Sequence, residues 1–181
     1  TVTGVQTCAL PICVVEQVAP KKVYFEFTGG EVTLYKHFTE VCQHVTSLGA
    51  KVGLISNSSR TIKWWETHKD YFDHVCLSFH SEFSDEEHFI SVVKLLSNSV
   101  RTHVNIMMNL EKFDYCIDVA HKITQIDNIS LSIQPLTYNF GTKLCEYNDE
   151  QKNVISRQWE LFGSKIKYTK HYNFYRGAMD K

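Results

Sequence analysis

The sequence predicts an α/β fold built on a parallel sheet, and three observations carry that prediction. Five short segments are rich in β-branched and aromatic residues and nearly continuous in apolar character. Between them run stretches whose apolar residues recur with a period near 3.6. Successive strand candidates begin roughly 23 to 29 residues apart, the length of a strand, a helix and two loops.

The strand candidates are KVYFEF (22–27), KVGLIS (51–56), HVCLSF (74–79), HVNIMM (103–108) and ISLSIQPL (129–136). Near-continuous apolar runs of this length suit parallel strands buried on both faces. The first helix carries Leu34, Phe38, Val41, Val45 and Leu48 on one face and stops at Gly49. The second begins near Ser59 and carries Ile62 and Trp65. The third opens on Ser84-Asp-Glu-Glu87, a capping box in which Ser84 and Glu87 satisfy each other's free backbone donors, and runs through Phe89, Val92, Val93 and Leu96. The fourth carries Phe113, Cys116, Ile117, Ala120 and Ile123. A fifth follows Asn148-Asp149 with Val154, Ile155, Trp159 and Phe162 before Gly163. Periodicity alone does not choose between an open sheet and part of a barrel.

Composition narrows the partners. A chain of 181 residues with 43% hydrophobic and 22% charged residues can build a sizeable core and is not a disordered segment. Nineteen Lys and Arg against 20 Asp and Glu give a formal net charge of -1, without the basic excess of a polyanion binder. No apolar run approaches the roughly 18 residues that span a bilayer. The six cysteines are widely spread with no CxxC pair, so neither a disulfide framework nor a zinc knuckle is indicated, and a reducing cytoplasm is the simplest compartment. Cys42, Cys76 and Cys116 lie in apolar runs, where a reduced cysteine acts as a small hydrophobe.

The ends read differently from the middle. Residues 1–12, TVTGVQTCALPI, resemble the conceptual translation of a sequencing adaptor, so segment 1–13 is set apart from the fold. The expected organisation is a core over 21–147, then 148–181 as a C-terminal helix and the start of a following region. The closing YRGAMDK carries no stop signal, and the chain reads as an internal fragment.

In parallel α/β architectures ligands bind beyond the carboxyl ends of the strands. Those ends read Thr28-Gly29-Gly30-Glu31, Ser56-Asn57-Ser58-Ser59, Ser78-Phe79-His80-Ser81-Glu82, Asn105 with Asn109, and Gln134-Pro135. They are small, polar and concentrated on one rim. Paired glycines let a backbone approach a ligand, and the neighbouring Glu31 can accept from an ammonium group. Each feature also has a purely structural reading: a tight turn for Gly29-Gly30, helix capping for Asn57 and Ser59, a solvated loop for His80 and Glu82.

The segment FTGGEVTLYKHF (27–38) resembles the GGEP-T-L motif on the second strand of the radical S-adenosylmethionine (SAM) superfamily. In the same order GLISNSS resembles that family's third strand, HVCLSFHSE the fourth, HVNIMMN the fifth and ISLSIQPL the sixth, over roughly residues 21–140. The resemblance implies a partial (β/α)6 TIM-like barrel with its first βα unit missing. It further implies an enzyme that uses SAM, a [4Fe-4S] cluster and an external electron donor to make a 5′-deoxyadenosyl radical. Carried over, Gly29, Gly30 and Glu31 would hold the amino group of SAM, and Ser56, Asn57 and Ser78 its ribose or carboxylate. His80, Glu82, Asn105 and Gln134 would face the substrate, for which peptide, cofactor-assembly and nucleoside chemistries are all compatible. Val32 stands where the family has Pro, and the CxxxCxxC loop that ligates the cluster is absent, Cys8 and Cys13 being spaced C-x4-C. The chain is therefore expected to lack metal ligands and, as a fragment, to be inactive. Two other readings use the same rim: a different TIM-barrel enzyme with His80 and Glu82 as an acid–base pair, lacking any G-x-S-x-G motif, and a non-catalytic ligand-binding module.

Overall fold

The computed structural model describes residues 23–138 and 143–165; Cys8, Cys13, the adaptor-like opening and the YRGAMDK tail lie outside the described residues. Five strands form one sheet: β1 (Tyr24–Phe27), β2 (Lys51–Ser56), β3 (His74–His80), β4 (Arg101–Met108) and β5 (Ile129–Pro135). Every neighbouring pair is parallel and the order is sequential, β1-β2-β3-β4-β5. The crossovers carry α1 (Phe38–Ser47), α2 (Ile62–His68), α3 (Glu86–Ser97) and α4 (Phe113–Thr124). After β5 a short antiparallel ribbon, β6 (Thr137–Tyr138) with β7 (Lys143–Leu144), leads to α5 (Asp149–Ser156) and α6 (Gln158–Phe162).

A doubly wound sheet reverses its strand order at a switch point, and this sheet has none. Right-handed crossovers in strictly sequential order put every crossover helix on one face, where α2 packs on α3 and α3 on α4. Among the described residues β1 and β5 do not pair with each other, so the sheet is open and not a closed barrel. No helix of the described residues is long and apolar enough to cross a membrane.

Strand alternation divides the sheet into two chemically different faces. The register rows Ser56–Leu77–Val104–Leu131 and Phe79–Ile106–Ile133 point to the helices. There the Phe79 ring meets Phe89 of α3 at 5.1 Å and Tyr115 of α4 at 6.1 Å. The other face carries Cys76–His103–Ser130, Ser78–Asn105–Ser132 and His80–Met107–Gln134. The strands are thus not uniformly apolar, as their sequence suggests. The helix-facing rows are buried and, apart from Ser56, apolar, whereas the polar face is buried at Cys76, His103, Asn105 and Ser132 and partly exposed at Ser78, His80, Met107 and Gln134.

Several element details differ from the sequence reading. Leu34 sits in a 3-10 turn (Val32–Leu34) and is 59% exposed, because α1 begins only at Phe38. Leu48 caps the end of α1 and is partly exposed. The N-cap of α2 is Thr61, which accepts from Trp64 N, so that helix starts later than Ser59. The cap of α3 is Asp85, which accepts from His88 N at 2.7 Å; Ser84 instead accepts from His80 N, and the Ser84–Glu87 box does not form. The fifth helix is two short ones broken at Arg157, opened by an Asn148–Gln151 capping box, and Trp159 faces outward at 58% exposure. Cys42, Cys76, Cys116 and Cys145 are all buried and free.

Candidate functional site

The carboxyl end of β1 leads into the Gly29–Gly30 turn. Gly29 has φ 101°, a left-handed conformation that glycine adopts without penalty. A Cβ at either glycine would meet nothing within 4 Å, so the turn presents bare backbone to open space. Glu31 closes the turn onto the next strand. Its Oε1 accepts from Thr33 N at 3.3 Å and Thr33 Oγ1 at 2.6 Å, Ser56 Oγ lies 3.0 Å from both its oxygens, and Oε2 accepts from Asn57 N at 2.8 Å. The β2 exit is wired further. Ser58 N donates to Ser56 Oγ, and Ser59 N to Asn57 Oδ1. Arg60 donates from Nε (2.9 Å) and Nη2 (2.5 Å) to Thr33 O, with its guanidinium 5.3 Å from the Trp64 ring centre.

From α3, His88 Nε2 lies 3.0 Å from both Ser58 O and Arg60 O. Two carbonyl neighbours fix the proton on Nε2, which donates to both. This contact fastens a turn in which Ser58 has φ 62°, uncommon for a residue other than glycine.

On the polar face of β3–β5 a hydrogen-bonded ladder descends from the rim. Gln134 Nε2 donates to Ser132 Oγ at 2.9 Å, and Ser132 Oγ to Asn105 Oδ1 at 2.6 Å. Asn105 Nδ2 reaches Cys76 Sγ at 3.2 Å. His103 Nε2 lies 3.1 Å from Asn105 Oδ1 and from Ser132 Oγ, and its Nδ1 is 2.8 Å from Ser130 Oγ. Burial lowers the His103 imidazole to about 4, so the ring is neutral at pH 7. Asn105 therefore does not stand at the rim. It is 5% exposed, one register row below Gln134, and belongs to the ladder.

A pocket of about 280 Å³ opens where the β2 exit meets the loop into α3. Asn57, Ser58 and Ser59 form one wall. His80, Phe83, Asp85 and His88 form the other, with Ser84 between. Burial lowers the His80 pKa against a weaker opposing pull from Glu82. Glu82 is not in this lining; burial raises its carboxyl, but bonds from Asn109, its own backbone and Ser81 more than offset that and leave it below the usual range. Both shifts favour the basic forms, a neutral imidazole that keeps one N–H and an ionised carboxylate.

The structure brings Gly29, Gly30, Glu31, Ser56 and Asn57 into one connected unit, and puts His80 in the neighbouring pocket. Ser78 and Asn105 share a row below the rim, and Gln134 stands above them. Arg60, Asp85, His88, His103 and Ser132 were not singled out by the sequence. The period-2 match of His103 and Asn105 to Ser130, Ser132 and Gln134 is the one signal that reveals part of this set. Among the described residues no group of three His, Cys, Asp or Glu could hold a metal ion.

No protein-family model and no curated protein matches the chain. Among solved structures it is similar to TYW1 with a lysine-pyruvate adduct bound, at 12% identity and a TM-score of 0.48, over 85% of this chain. The chain spans 57% of the length of that structure. Likeness at this level leaves function to be argued from the residues of the site.

Proposed function

We propose that this chain is the larger part of a radical SAM core, a partial (β/α)6 barrel that binds SAM at the exit of β1. The observation that carries the reading is the Gly-Gly-Glu turn in which open glycine backbone is locked, through Glu31, to Ser56 and Asn57 at the next strand's exit. It supports a ligand site because the backbone is both accessible and held still. Four chain donors already occupy about the four lone-pair positions a carboxylate offers. The amino group of SAM is then held by turn carbonyls within the negative field of Glu31, not by a vacant carboxylate oxygen. Asn57 Nδ2 and Ser78 Oγ are the polar groups assigned to the ribose or carboxylate of SAM. His80 and Gln134 face substrate, Asn105 supports Gln134 through Ser132, and Glu82 lies at the edge of that side.

In the family a [4Fe-4S] cluster, reduced by an external electron donor, would supply the electron for reductive cleavage of SAM. The described residues do not fit the cluster: their four cysteines are buried and form no metal-binding group. The reading assigns cluster ligands to other sequence and gives these cysteines to the core. Burial pushes the Cys42 thiol up to about 12, away from the thiolate a cluster needs.

The test is calorimetric titration with SAM under anaerobic conditions. Gly30 faces open space and its φ lies outside the left-handed range, so Gly30→Val is expected to leave the melting temperature within a few degrees while weakening SAM by about tenfold or more. Equal affinity in both proteins overturns the assignment of the turn. A second measurement addresses metal: after anaerobic incubation with iron and sulfide, Cys42→Ala and Cys116→Ala are expected to hold as much iron as the unaltered chain. Iron lost with either cysteine would make these residues ligands.

A further inference from the structure

We propose that the pocket between the β2 exit and the loop into α3 binds the positively charged end of a ligand, an alkylammonium or guanidinium group. The inference rests on the radical SAM reading only in giving that ligand to the substrate side of the site.

Asp85 contributes a carboxylate whose Oδ1 caps α3 by accepting from His88 N, and whose Oδ2 has no partner among the described residues. Burial lowers the His80 pKa, and His88 Nε2 is engaged as a donor to Ser58 O and Arg60 O. The nearby cations are committed elsewhere. Arg60 is bound to Thr33 O, and Lys112 Nζ donates to Ser81 O at 3.0 Å. The N-terminus of a helix would ordinarily attract an anion, but here Asp85, Glu86 and Glu87 already occupy that end of α3. An anionic ligand would therefore be desolvated beside the Asp85 carboxylate, with the donors of Arg60 and Lys112 already turned to backbone carbonyls.

A cation meets the opposite situation. Asp85 can accept a charge-assisted hydrogen bond from it. Phe83, a residue 90% exposed, lines the same pocket, and an aromatic face attracts ammonium and guanidinium groups. A large apolar side chain left so bare at a pocket mouth makes no contribution to the core, whereas as one wall of a cation site it has a use.

The test is a titration of the chain with agmatine, which carries a guanidinium and an ammonium, followed by amide signals in two-dimensional NMR. Succinate and 1,4-butanediol serve as anionic and neutral probes of similar length. Agmatine is expected to give saturable shifts at residues 57–59 and 83–88, with affinity falling as salt is raised, while the other two give none. Asp85→Asn preserves a capping residue and is expected to weaken agmatine about tenfold; Phe83→Ala, at an exposed position that cannot disturb packing, about threefold to tenfold. Comparable shifts with succinate or butanediol, or agmatine affinity unchanged in both variants, overturns the proposal. Because no SAM is present, this outcome is independent of the SAM titration of Gly30→Val.

Discussion

Glu31→Ala is expected to destabilise the fold by about 3 kcal/mol and to weaken SAM by about tenfold to a hundredfold. The stability loss follows from which donors the carboxylate holds. Ser56 is 3% exposed, and its hydroxyl would lose the acceptor it now reaches at 3.0 Å. Asn57 N and Thr33 Oγ1 would lose theirs as well. Hydrogen bonds to a charged acceptor contribute about 1.5–3 kcal/mol each, and partial rehydration at the rim recovers some of that. Glu31→Gln is expected to fall between, because its amide group would present N–H to donors that need an acceptor. Urea denaturation gives the first quantity and calorimetry the second. A midpoint unmoved by Glu31→Ala would mean that the two strand exits are held by something else.

Stability is also expected to fall by about 2–3 kcal/mol as pH is lowered from 7 to 4.5 at the expense of one buried group, His103. Its folded-state pKa, lowered by burial to about 4, lies below the ordinary histidine value of 6.5. Between those values the unfolded chain takes up a proton that the native ring refuses, so stability rises with pH in this window. Above about 6.5 both states are neutral and the effect is flat; below about 4 both are charged and the loss is complete. His103→Gln keeps hydrogen-bonding capacity but does not titrate. Its urea midpoint should therefore change much less over the same window. A pH profile as steep in His103→Gln as in the unaltered chain would assign the effect to other groups.

The order of strands and helices was legible because each strand is a compact apolar run and each helix an amphipathic stretch of its own. The cap of α3 was not. Ser84-x-x-Glu87 and Asp85-x-x-His88 are offset by one residue and each contains a good capping side chain. What decides between them is tertiary: Ser84 is taken by the backbone of His80, leaving Asp85 to cap. The polar ladder was hidden by its neighbours, since Val104 and Ile106 flank Asn105 and make the strand read as continuous grease. The candidate turn was found from three residues, Gly29, Gly30 and Glu31, but sequence could not show that Glu31 would be engaged by Ser56 and Asn57, 25 and 26 residues away. His88 belongs to the same class. Its partners, Ser58 and Arg60, are about 30 residues upstream, and no helical spacing encodes them.

The side chain of Gln158, 5% exposed in α6, accepts from Ile133 N at 2.9 Å and extends its own amide nitrogen to Ile133 O at 3.5 Å. One glutamine thus occupies, at the outer edge of β5, the hydrogen-bonding positions that a further strand would use. An uncovered strand edge is a template on which another chain can pair, and such edges seed aggregation. Gln158 closes that template with a group too short to be extended, so the sheet cannot be lengthened at Ile133 by a neighbour. The helix that follows the sheet is in this sense a solubility element: at Ile133 it ends the ladder with a side chain where a strand would otherwise add.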